Sequence, residues 1–158
     1  MSRLAAIAAA ALAALALFAA GAAGAAEYEV KLLNKGAAGA MVFEPALLRI
    51  QPGDTVNFRA VDKNHNVGTI RDILPAGAQP FRGGENKDLS VTFTIPGIYG
   101  FECFTHIHSF GMSGLVVVGD GNVNLQDAKA AAAKAPPRER VVLEKLLAEV
   151  GEIGRAHV

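Results

Sequence analysis

Leu89-Ser-Val-Thr-Phe-Thr-Ile95-Pro-Gly97-Ile-Tyr-Gly-Phe-Glu102-Cys103-Phe-Thr-His106-Ile-His108-Ser-Phe-Gly-Met112-Ser-Gly114-Leu-Val-Val-Val118 holds three strand-like segments. Leu89 to Ile95 alternates apolar and polar residues, Pro96-Gly97 turns the chain into Ile98 to Glu102, and Gly114 to Val118 is apolar and β-branched. Between the last two lies a short stretch with the only cysteine, two of the four histidines and one of the three methionines. A lone Cys or Met is ordinarily a small hydrophobe or core filler. Grouped on one loop, a thiolate, an imidazole and a thioether form a soft donor set that favours copper.

Upstream, Glu27 to Leu33 has strand character and leads into a Gly/Ala-rich turn expected over Asn34 to Ala40. Met41 to Phe43 and Leu47 to Ile50 follow, broken by Pro45. Gln51-Pro-Gly-Asp54 is a strong turn signal before the alternating Thr55 to Val61. Asp62 to Asn66 reads as a polar loop, Val67 to Ile73 as short and mixed, and Leu74 to Lys87 as a long irregular connection. Short strands punctuated by turns predict an antiparallel β-sandwich or barrel.

Downstream, Asn124 is a candidate N-cap for a helix over Leu125 to Lys134, stopped by Pro136-Pro137. Arg138 to Val150 has amphipathic spacing and predicts a second helix covering one sheet. The expected organisation is a leader at 1–26, a β-domain at 27–121, a helical extension of the same domain at 122–150, and a flexible tail at 151–158 in which His157 plays no part.

The leader has Arg3, an apolar run from Leu4 to Ala20 and a small-residue stretch to Ala26, the pattern of a secretory signal peptide. There is no twin-arginine pair, so the general secretory route to the periplasm is expected, with no membrane insertion after cleavage. Fifteen basic and fifteen acidic residues give no basic excess, which argues against a nucleic-acid partner. A single cysteine cannot form an internal disulfide, so an exported thiol needs another role, and metal ligation supplies one.

A blue-copper site takes two histidines, a cysteine and a weak axial ligand, often Met. The remote histidine candidate is His65, directly after a strand, and the neighbouring Asn66 is placed to hydrogen-bond across to the Cys loop.

Four stretches, Asn34 to Pro45, Pro52 to Val56, Val61 to Val67 and Val116 to Asp120, resemble pseudoazurin, a small member of the cupredoxins. The likeness covers the chain after the leader, including the two C-terminal helices. It implies a Greek-key β-sandwich and one type 1 copper cycling between Cu(I) and Cu(II). It also implies an electron carrier and not an enzyme: a monomer serving periplasmic redox proteins in denitrification, with copper nitrite reductase as acceptor and a cytochrome-type donor. His65, Cys103 and Met112 match the family's ligand positions. The fourth position stays open. The family resembles Cys-x2-His-x4-Met, whereas five residues separate His106 from Met112 here. Overall homology favours His106, and loop length favours His108. The resemblance also implies an apolar docking face, formed here by Met41, Ile107, Phe110 and the Gly/Ala turn and flanked by Lys35 and Lys63. Two departures stand out: Glu102 beside the cysteine, and a near-neutral chain where the family tends to be basic.

Other classes fare worse. A copper-delivery protein is the main competitor, but such sites tend to be rich in Met or His, and one of the three methionines is the initiator. A zinc enzyme lacks an evident catalytic carboxylate near the loop, and a thioether suits zinc poorly. Copper nitrite reductase itself needs a second domain, and haem attachment a second cysteine.

Overall fold

The computed structural model describes residues 24–155. Eight strands run in chain order: β1 (Glu27–Gly36), β2 (Gly39–Glu44), β3 (Leu47–Ile50), β4 (Thr55–Arg59), β5 (Gly68–Thr69), β6 (Leu89–Thr92), β7 (Gly97–Glu102) and β8 (Ser113–Val118). A short helix α1 (Ile107–Phe110) interrupts the Cys loop, and α2 (Leu125–Ala132) and α3 (Pro137–Arg155) close the chain. The strands form two four-stranded sheets, ordered β2-β1-β4-β6 and β3-β8-β7-β5.

The continuous apolar run of β8 has a direct cause: all six of its residues are buried, because its sheet is covered on both faces. Val116 and Val118 face the first sheet in a core with Val30, Leu32, Phe43, Phe58 and Phe101. The alternate residues, Leu115 and Val117, pack with Ile98 against Leu125, Leu143, Leu147 and Val150 of the two long helices. Fully burying a side chain such as Phe or Leu contributes about 1.5–3 kcal/mol, so both layers are needed. Phe101 meets Phe43 edge-on at 4.8 Å between ring centres and Phe58 at 5.1 Å. This aromatic cluster fixes β7 two residues before Cys103.

Several elements differ from expectation. The sheets are mixed, not antiparallel: β1 pairs parallel with β4, and β3 with β8. The crossing from β3 to β4 returns the chain beside β1 in the same direction, and β8 likewise runs alongside β3, placements between distant strands that turn signals cannot reveal. The expected turn at 34–40 is mostly strand, with β1 and β2 joined around 37–38. That extension brings Asn34 into the sheet. The strand expected to run to Ile95 ends at Thr92, where its pairing with β4 ends. Asn124 stands at the start of α2 without capping it. Its buried side chain instead accepts from Ile98 N at 2.7 Å and donates to Ile98 O at 2.9 Å, satisfying strand groups that the helices seal from water. The tail expected to be flexible from 151 is helical through Arg155. Gly151 costs a helix only about 1 kcal/mol relative to alanine, a penalty that helix packing offsets. His157 and nearly all of the leader at 1–26 lie outside the described residues.

Candidate metal centre

Three elements converge at one end of the sandwich. Cys103 follows β7 and is fully buried, with its amide donating to Met112 O at 3.0 Å. That bond ties the two ends of the loop together. His106 N donates to Cys103 O at 3.1 Å, folding a tight turn that swings the His106 ring back toward the sulfur. His65 arrives from the loop after β4 and is 0% exposed. Its position is held by Asn86 N donating to His65 O at 2.8 Å, and by Asn64 in the left-handed region at φ 68°, a conformation asparagine tolerates.

Cys103 Sγ lies 3.4 Å from His106 Nδ1 and 3.8 Å from His65 Nδ1. The three donor atoms are all within 4.8 Å of one another, close enough to share one ion. Met112, 2% exposed, closes the loop within the same core cluster as Cys103. The structure thus brings His106 to the sulfur and leaves His108 outside the cluster, exposed on α1. The reason is the short helix. One helical turn over Ile107 to Phe110 absorbs the extra residue before Met112 and turns His108 outward.

Two asparagines stiffen the centre. His65 Nε2 lies 2.9 Å from Asn34 Oδ1. The amide oxygen can only accept, so it fixes the proton on Nε2 and leaves the Nδ1 lone pair facing the sulfur. Asn66 bridges to the Cys loop, accepting from Phe104 N at 2.8 Å and donating to Thr105 Oγ1 at 3.1 Å. Burial, and secondarily the neighbouring His106, push the His65 pKa down against the pull of Asp62. The ring therefore stays neutral, and able to ligate, to lower pH than a free histidine. Asn34 was not singled out from the sequence, because it fell in the presumed turn; its one signal was a polar residue ending an alternating strand.

Glu102, half-buried, turns inward. Its carboxyl faces Glu139 from the first turn of α3, with His108 and Arg82 nearby. Burial raises the pKa of both carboxyls, and Glu139, beside the charge of Glu102, reaches about 7.

The expected docking residues spread unevenly. Lys35 and Lys63 are exposed, and Met41 is half-buried. Phe110 is 44% exposed, its ring centre 6.0 Å from that of His106. Ile107 does not join them; it is 5% exposed, on the inward side of α1. Val141 of α3, 66% exposed, extends the face instead, across a groove of about 240 Å³ that Met41 and Phe110 also line.

A family model for copper binding proteins, the plastocyanin/azurin family, matches residues 30–119. The chain is similar to pseudoazurin of Paracoccus pantotrophus, with 50% identity over 125 residues, covering 79% of this chain and 84% of that protein. It is similar to a putative pseudoazurin of Rhizobium leguminosarum at 44% identity, covering 79% and 80%. Its fold is similar to the crystal structure of pseudoazurin from Methylobacterium extorquens, with a TM-score of 0.74 and 41% identity, covering 78% of this chain and 98% of that one.

Proposed function

This chain belongs to the copper-binding plastocyanin/azurin family as a pseudoazurin, an electron carrier and not an enzyme, and on that premise we propose a periplasmic role in denitrification. In this reading it receives electrons from a cytochrome-type donor and passes them singly to a copper nitrite reductase or similar acceptor. His65 Nδ1, Cys103 Sγ and His106 Nδ1 would hold the copper, with the Met112 thioether as the fourth, soft donor.

The observation that carries this reading is the buried cluster itself: two imidazole nitrogens and one thiolate sulfur within 4.8 Å, walled by core residues. The donor set fits, since thiolate and thioether stabilise Cu(I) while imidazole suits both oxidation states. When bound, the copper supplies a one-electron couple. The protein's residues do the rest. Asn34 and Asn66 hold the ligands in place, and the Phe43–Phe58–Phe101 cluster anchors the strand bearing Cys103. A scaffold that does not rearrange keeps the barrier to electron movement low. Burial of Cys103 and His65 also argues against copper delivery, which needs ligands open to exchange.

Phe110, beside His106, and the half-buried Met41 supply the apolar docking face, with Lys35 and Lys63 exposed to steer an acidic acceptor. We assign 1–26 as a cleaved Sec-type signal, 27–121 as the copper domain and 122–150 as its helical extension, and take the carrier to act as a monomer.

The test is copper loading of purified protein. An intense visible thiolate-to-Cu(II) band, bleached by mild reductant and restored on mixing with oxidised acceptor, is expected. A colourless copper form would overturn the reading.

A further inference from the structure

The loop carrying Cys103, His106 and Met112 does not stand free; it rests on the start of α3. Gly111 sits between α1 and Met112 in the left-handed region at φ 69°, ending the short helix with its amide donating to Ile107 O at 2.9 Å. A Cβ there would lie 2.5 Å from Arg138 O and 2.9 Å from Glu139 N, both backbone atoms of the first turn of α3. Gly111 O in turn accepts from the buried Ser113 Oγ at 3.0 Å. Backbone thus meets backbone immediately before Met112, at the end of the helical turn that absorbs the additional residue of the loop.

We infer that the first turn of α3 is a positioning element for the axial ligand, with Gly111 as the contact that sets where the Met112 thioether stands. This rests on Met112 being a ligand, as proposed above. The physical reason is that the axial bond of a type 1 site is long and weak, so its length follows the protein frame and tunes the site's electronic structure and potential. A contact between two backbone segments has no side-chain torsion with which to yield. A displacement of α3 therefore bears directly on Gly111, the residue that precedes Met112.

The test uses the full copper-loaded chain. Gly111→Asn adds a Cβ against Arg138 while keeping a residue that tolerates positive φ. Pro137→Gly loosens the exposed first position of α3 without touching the loop. Gly119→Asn is the control: that glycine is also left-handed, at φ 56°, but a Cβ there meets nothing nearer than 3.5 Å. The expected result is a changed Cu(II) EPR rhombicity and a shifted reduction potential in Gly111→Asn and Pro137→Gly, with the Gly119→Asn spectrum unchanged. Blue, folded Gly111→Asn and Pro137→Gly proteins with the parent EPR signal and potential would overturn the inference. A colourless parent protein would instead strike at the copper reading itself.

Discussion

Asn34 Oδ1 lies 2.9 Å from Nε2 of the fully buried His65, joining the end of a sheet strand to a histidine 31 residues further along the chain. The main chain of this residue is anchored in turn, since Asn34 N donates to Asp62 Oδ2 at 2.6 Å. One asparagine thereby fixes both the tautomer and the angle of the imidazole. Asn34→Ala removes the acceptor and frees the ring to rotate. Groups behind a metal ligand typically carry about 10–100-fold in metal affinity. A loss of that order is expected in competition with a chelator, and affinity equal to the parent's would refute the role.

The two loop histidines separate cleanly. His106 Nδ1 is 3.4 Å from the sulfur, whereas His108 is exposed. His106→Ala should abolish the visible charge-transfer band, and His108→Ala should leave it unchanged. The reverse pattern would mean that the loop refolds around copper.

Met112→Gln replaces a soft thioether with a harder amide oxygen, which favours Cu(II). The reduction potential should fall in protein-film voltammetry while the blue colour persists. A rise in potential would exclude the thioether as the axial group.

Glu139 is 3% exposed, has Oε1 without a hydrogen-bond partner, and faces Glu102 of β7, around which His108 and Arg82 also gather. Its pKa rises from 4.5 to about 7 in the fold, from burial first and the Glu102 charge second. A raised folded-state pKa makes the native state the tighter proton binder. Stability from this group is therefore full below pH 4.5, declines as pH climbs to about 7, and stays low above. The penalty at pH 8 is about 3 kcal/mol, at about 1.4 kcal/mol per pKa unit between 4.5 and about 7. Glu139→Gln should flatten denaturation midpoints across that window and raise them above neutrality. An unchanged pH profile would show that the carboxyl is already ionised in the fold.

Phe110 and Lys35 offer a kinetic test of the docking face. Phe110→Ala should slow electron transfer to copper nitrite reductase with little change in the potential, because the ring supplies exposed apolar surface beside His106 and offers the copper no donor atom. Lys35→Ala should flatten the ionic-strength dependence of the same rate. Rates matching the parent's at all salt concentrations would place docking elsewhere on the molecule.

Sequence alone determined the chemistry of the centre. Cysteine, histidine and methionine between two strands define a soft site whatever the details of packing, and period-two alternation shows that β-strands hold it. The strand-like run at Gly114 to Val118 and the amphipathic spacing from Val141 to Val150 likewise foretold a sheet covered by helices. These are local signals, readable because side-chain period follows directly from backbone geometry.

Only the tertiary structure decided which histidine faces the sulfur, that Asn34 supports His65, and that Asn124 serves a strand instead of a helix end. It also decided that Ile107 is core while Val141 is surface. Each depends on contacts between residues far apart in sequence, where burial outweighs local preference. The additional residue of the Cys loop shows this most plainly. Its spacing left two readings open, and a single helical turn resting on α3 places His108 in solvent and His106 against the Cys103 sulfur, the geometry on which the proposed ligand set rests.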